Sequence, residues 1–152
     1  MKILIATDGS EFSQKAVVKC CEFVPFGKAP EIKVISVVEG IPPIAAEPFA
    51  LTSEYYVRLE TDLKTFSEKA IKEAEKIIKE KFGDNAVFET ELLTGRVKEV
   101  IIEEAKKFGA DLIVVGSHGY GFLDRVLLGS ISDFVVHHAP CSVLVVREDK
   151  KS

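Results

Sequence analysis

Apolar positions along this chain form two alternating kinds of run: short unbroken stretches, and longer ones in which they recur every three or four residues. Lys2 to Thr7 is of the first kind and stops at Asp8-Gly9-Ser10, as a buried strand emptying into a turn does. Ser10 is placed to cap a following helix, with Glu11 in its first turn. Phe12, Ala16, Cys20 and Phe23 then recur at near-helical spacing until Pro25 and Gly27 end the run. Glu31 to Val38 reads as a second strand, after which Gly40, Pro42, Pro43 and Pro48 forbid regular structure until about Thr52. From Ser53 to Phe82 the positions Tyr56, Leu59, Leu63, Phe66, Ala70, Ala74, Ile77 and Ile78 form one stripe. Glu68 with Lys72 and Glu75 with Lys79 sit four apart on the other faces, so a long surface helix is predicted.

Ala86 to Leu93 is a third strand, and Thr94-Gly95 leads into a helix whose Val97, Val100, Ile101, Ala105 and Phe108 face inward before Gly109 closes it. Asp111 to Val115 is a fourth strand, continuously apolar as strands covered on both faces are, and a glycine-rich loop follows from Gly116. Ser130-Ile131-Ser132-Asp133 has the form of a helix start, with Ile131, Phe134, Val135 and His138 on one face and Ala139-Pro140 as the stop. Ser142 to Arg147 is a fifth strand and Glu148 to Ser152 a polar tail. Strand and helix alternate throughout, which predicts an α/β fold: a parallel sheet with right-handed crossovers and helices on both faces.

The 152 residues fit one domain, 1–152, and 47% hydrophobic composition suffices for a core. A net charge of −4 argues against a protein that holds duplex nucleic acid by neutralising phosphates. No apolar run approaches the length of a membrane span, and Met1-Lys2-Ile3 enters a strand without the flanks of a signal peptide, so a cytoplasmic address is expected. Cys20, Cys21 and Cys141 lack the number and spacing of a disulfide framework or a zinc site and are expected to be reduced core residues.

In a parallel sheet, ligands bind beyond the carboxyl ends of the strands. That selects Thr7 to Ser10, Val37 to Gly40 and Gly116 to Ser130. The last carries its glycines as Gly116-x2-Gly119-x9-Gly129-Ser130. Gly116 and Gly119 would let backbone N–H groups approach an anion, and the helix start adds N–H donors, a positive dipole end and the Ser130 hydroxyl: a phosphate cradle. The plainer alternative makes the glycines turn residues and Ser130 with Asp133 a capping box. Asp8 suits either a ribose hydroxyl or a water of a phosphate-bound Mg²⁺, or simply a turn with Gly9 and Ser10. His118 is within reach of a phosphate, a sugar or a partner subunit, or is a partly exposed loop residue. Arg96 and Arg125 are the cations nearest the expected phosphates, each equally suited to a surface role. His137 and His138 are adjacent on a helix and so cannot chelate one metal together. P-loop and Gly-x-Gly-x-x-Gly patterns are absent, which removes support for motor-type NTPases and NAD enzymes.

These residues resemble the universal stress proteins. The resemblance rests on the opening Ile3-Leu4-Ile5-Ala6-Thr7-Asp8-Gly9-Ser10, the Gly116-x2-Gly119-x9-Gly129-Ser130 spacing, which matches that family's ATP-binding signature, and the closing Pro140-Cys141-Ser142-Val143-Leu144-Val145-Val146. It implies a Rossmann-like three-layer α/β/α domain with strand order 3-2-1-4-5. It further implies that Ala6, Thr7 and Asp8 line the adenine and ribose end, that Val37 meets the adenine edge through its backbone, and that Val115 and Gly116 touch the nucleoside. Gly119, Gly129, Ser130, Ile131 and Ser132 would hold the phosphates through N–H groups and hydroxyls, with His118 beside them. The expected cofactor is ATP or AMP, with Mg²⁺ accompanying ATP, and the expected assembly is a homodimer through the edge strand Val143 to Val146. The function implied is a nucleotide-loaded regulatory or stress-response module signalling to an unknown protein partner. A slow Mg-dependent ATPase is the alternative.

Overall fold

A computed structural model describes residues 1–24, 30–40, 53–83, 86–119 and 128–147. The chain runs β1 (Lys2–Ala6), α1 (Glu11–Phe23), β2 (Glu31–Val38), α2 (Ser53–Phe82), β3 (Val87–Thr94), α3 (Val97–Phe108), β4 (Leu112–Gly116), α4 (Ser130–His138) and β5 (Ser142–Val146). All five strands are parallel in the order β3-β2-β1-β4-β5, the α/β architecture and strand order expected. Strand ends differ by a residue from the apolar runs. Thr7, for instance, leaves β1, yet its N–H still donates to the Ile35 carbonyl at 2.9 Å. Pro25, Gly27, the stretch 41–52, Arg125 and the tail 148–152 lie outside the described residues.

Successive side chains of a strand point to opposite faces, so β1 and β2 feed two cores at once. Ile3, Ile5, Ile32 and Val34 pack with Ala16, Val17 and Cys20 of α1 and Ala74 and Ile78 of α2. Leu4, Ile35, Ile113 and Val115 pack with Ile101, Ile102 and Ala105 of α3 and Val135 of α4. Among the described residues, no helix is long and apolar enough to cross a membrane.

Two local expectations change. α2 is buried only from Ser67 onward, at Ser67, Ala70, Ile71, Ala74 and Ile78, while Leu63 and Phe66 of the predicted stripe are exposed. Length explains this: thirty helical residues span about 45 Å, an eight-residue strand only about 27 Å. Ala70 already lies against Gly9, just past the end of β1. Second, α4 is capped by Gly129, with no side-chain cap bond, and Ser130 is its first helical residue, exposed. The Ser130–Asp133 capping box is therefore not made. The start is set by a tether, since the Gly129 N–H donates to the Ser117 carbonyl at 2.8 Å.

Candidate functional site

The turn after β1 is built by its own side chains. One Asp8 oxygen accepts the Ser10 N–H at 2.9 Å, the Ser10 hydroxyl caps α1 by accepting the Ser13 N–H, and the Thr7 and Ser13 hydroxyls meet at 3.0 Å. Gly9, at φ +78°, turns the chain where α2 approaches: an added Cβ would lie 3.0 Å from that of Ala70. Opposite, the Ser117 carbonyl accepts from Gly129 N–H and from the Ser132 hydroxyl at 2.9 Å, which closes the 117–129 loop at its base.

Between these two structures lies a cleft of about 270 Å³ at the carboxyl ends of β1, β2 and β4. Every residue singled out for nucleotide contact lines it: Ala6, Thr7 and Asp8 from the first turn, Val37 from β2, Val115 and Gly116 from β4, His118 and Gly119 from the loop, and Gly129 to Ser132 from the start of α4. Ser13, Ile35, Val97 and Ile101 complete the wall. Ile35 was legible from Val37 by the period of two, and Val97 with Ile101 were visible as an inward stripe. Only the tertiary packing shows that α3 faces the cleft.

The lining is of two kinds. Ile35, Val37, Val97, Ile101, Val115 and the Ile131 side chain are apolar. The start of α4 adds the N–H groups of Ser130, Ile131 and Ser132, which, as the first three residues of a helix, have no intrahelical acceptor and sit at the positive end of the helix dipole. Asp8 lies beside Gly119: its second oxygen is 2.7 Å from where a Gly119 Cβ would be. Among the described lining residues there is no lysine or arginine.

The individual residues separate further. Gly116 is required by packing in its own right, because a Cβ there would meet the Phe12 carbonyl carbon at 2.7 Å and the Ser13 nitrogen at 2.8 Å. Ser132 is buried with its hydroxyl turned onto the Ser117 and Gly129 carbonyls, so what it can offer an anion is its N–H. The His118 ring lies tilted on Phe12 at 5.3 Å, with Nδ1 3.0 Å from the Ser117 hydroxyl. Arg96 is exposed beside Glu99 and does not line the cleft. His137 and His138 each hook Nδ1 onto the carbonyl four residues back on α4, away from the site. Burial, with Cys21 adding to it, pushes the Cys20 thiol up to about 12, in keeping with an inert core residue.

The universal stress protein family model matches residues 1–147. Universal stress protein MJ0531 of Methanocaldococcus jannaschii is 37% identical over 150 residues, covering 99% of this chain and 84% of the relative. The solved structure of hypothetical protein MJ0577 superposes with a TM-score of 0.78 at 29% identity, covering 99% and 97% of the two chains. A universal stress protein family protein from Arabidopsis thaliana, solved with AMP bound, shares the fold at a TM-score of 0.68 and 20% identity, covering 99% and 93%. Carried by the match over nearly its whole length, this chain belongs to the universal stress protein family.

Proposed function

We propose that the cleft holds an adenine nucleotide, ATP or AMP, and that the chain acts as a nucleotide-loaded regulatory module. The observation that carries this is the pairing of an apolar slot with three N–H groups of α4 that no other group of the helix uses, across a glycine too close to Asp8 to bear a side chain without displacing it. The slot suits a flat base and the helix start suits phosphate. Backbone direction adds a reason for adenine. The Ile35 carbonyl points toward β1, and alternation aims the N–H and C=O of Val37 to the same side, past the last β1 rung at Ala6. A donor and an acceptor side by side match the adenine edge. A fold relative with AMP bound supports the same class of ligand.

Asp8 is the one carboxylate lining the cleft among the described residues, and in this reading its outer oxygen takes a ribose hydroxyl or a water of Mg²⁺ carried by the phosphates. Signalling follows from differential affinity: a partner that prefers the loaded form shifts with occupancy. β5 is a sheet edge, and pairing with its twin through Val143 to Val146 would cover it, so the module is proposed as a homodimer.

The test is extraction of nucleotides from freshly purified protein, with a melting curve in ATP and Mg²⁺. At a hundredfold excess over Kd, binding adds about 2.7 kcal/mol, which at ~2–4 °C per kcal/mol raises Tm by about 5–10 °C. No recovered adenine nucleotide and no shift would sink the reading. Phosphate release from bound ATP separates a slow ATPase from a sensor, and sedimentation as a monomer at working concentration would refute the dimer.

A further inference from the structure

Strand β2 carries a lysine where its neighbours are apolar. Lys33 and Glu104 of α3 are both buried, with side chains 8% and 7% exposed, and Lys33 Nζ lies 2.5 Å from Glu104 Oε1. Glu91 Oε2 at 2.8 Å and Glu89 Oε1 at 3.3 Å, both on β3, complete its surroundings, with the Phe108 ring 6.0 Å away. The second Glu104 oxygen faces Lys107 at 3.4 Å.

The location of the pair gives it a consequence. On β2, Lys33, Ile35 and Val37 share a face by the period of two. On α3, Val97, Ile101 and Glu104 share one by the spacing of four and three. Ile35, Val37, Val97 and Ile101 are the apolar walls of the cleft. Lys33 and Glu104 are therefore the next inward residues along each wall, directly beneath the slot. Apolar contacts hold a helix on a sheet but are non-directional and let it slide by fractions of an ångström. A charge-assisted hydrogen bond has a set length and direction. Burying such a pair adds little net stability relative to two apolar side chains of similar size, so stability alone is a weak reason for it.

Resting on the reading of the cleft as a nucleotide site, we infer that Lys33 and Glu104 form a positioning pair that fixes the height of α3 over β2 and thereby sets the width of the base slot and its selectivity for adenine. Neither residue touches the ligand. Both act through Ile35, Val37, Val97 and Ile101.

The decisive variant is Lys33→Met with Glu104→Met, which replaces the pair by apolar side chains of similar length and leaves Glu89 and Glu91 able to turn to solvent. ATP and CTP affinities are measured by calorimetry on the full chain, with urea unfolding as a control for the fold. Both nucleotides use the same phosphate cradle, so the ratio of their affinities reports the base slot alone. The expected result is a urea midpoint near wild type and a fall of roughly fivefold or more in the ATP-to-CTP ratio. Should the double variant fail to fold, Glu104→Gln keeps the shape and one acceptor while removing the charge, and the same ratio should fall by a smaller factor. An unchanged ratio overturns the inference even where both affinities drop together, because that is what general loosening does. A wild-type chain that binds neither nucleotide overturns the proposed function and this inference with it. A wild type that prefers ATP beside a folded variant that prefers it equally overturns the inference alone.

Discussion

Gly116 and Gly119 stand three residues apart in one loop and look alike in sequence, yet their replacement should damage different properties. In Gly116→Ala the new methyl lies 2.7, 2.8 and 2.9 Å from the Phe12 carbonyl carbon, the Ser13 nitrogen and the Phe12 Cβ. Carbon atoms pack at about 3.5–4.0 Å, and two of these neighbours are backbone of the first turn of α1, which the Ser10 cap holds in place. Relief requires moving α1 by most of an ångström, so the cost belongs to overpacked cores at about 2–3 kcal/mol. At ~2–4 °C per kcal/mol for a chain of this size, Tm falls by about 5–10 °C. In Gly119→Val the first new atom meets, among the described residues, only the Asp8 carboxylate, at 2.7 Å, and that side chain can rotate; Gly119 is also outside the left-handed region that would strain another residue. Tm should stay within about 2 °C, since changes that touch only movable surface groups cost about 0.5 kcal/mol. The melting shift produced by ATP, however, should vanish, because the branched side chain covers the approach to the loop N–H groups. Differential scanning fluorimetry of both variants with and without nucleotide gives all four numbers. A Gly116→Ala protein that melts within about 1 °C of wild type would refute the packing argument, and a Gly119→Val protein that keeps the full ligand shift would refute the cradle.

Lys33, 2.8 Å away, holds the Glu91 carboxyl below its ordinary range, against a smaller opposing effect of burial. A carboxylate with a depressed folded-state pKa contributes stability that is complete above its unfolded value, about 4.3, and is lost as pH falls through the lower folded value. Glu91→Gln should therefore lower the urea midpoint at pH 7 and converge with wild type well below pH 4; a difference that stays constant across that window would rule the linkage out. Burial raises all three thiols, Cys20 to about 12, so native protein near neutral pH should resist iodoacetamide at Cys20 and Cys21 and become labelled in urea. Equal labelling rates in the two states, read by mass spectrometry, would contradict the buried assignment.

The elements were legible because their signals are local. Ile3-Leu4-Ile5 and Leu112-Ile113-Val114-Val115 can be buried on both faces only in a covered parallel sheet, and the glycine closing α3 adopts the left-handed cap at φ 69° that its position announces. All twelve residues named for nucleotide contact converge on one cleft because strand ends, and the turns that follow them, are where a parallel sheet places its loops. What no local pattern announces concerns partners distant in the chain. Gly116 answers to Phe12 and Ser13, more than a hundred positions earlier, which no spacing rule connects. The start of α4 is set by the Ser117 carbonyl, a tether that outweighs the local Ser-x-x-Asp pattern. Lys33 looks like an interruption in an apolar strand until α3 delivers Glu104 against it, and the overrun of α2 depends on the height of the sheet beside it.

The same distinction between local and assembled properties bears on how, in the proposed reading, a chain of net charge −4 would hold a polyphosphate. Formal charge counts side chains, and among the described residues the cleft contributes only Asp8 to that count, with the wrong sign. What would face an anion there is a set of backbone dipoles: three N–H groups at the head of α4, left without intrahelical acceptors by the geometry of any helix start and brought to the loop by the bond from Gly129 to Ser117. Such donors are neutral and fixed in direction, so they need not be brought together against mutual repulsion as lysines would be. A neutral cradle also leaves most of the phosphate charge uncompensated. In the proposed reading a cation that enters with the nucleotide supplies the balance, and Asp8, beside Gly119 at the same mouth, is the group placed to receive it. Acidity at this position would then favour the metal-bound polyphosphate over the bare one, which turns a charge of apparently the wrong sign into a means of selecting the form of the ligand.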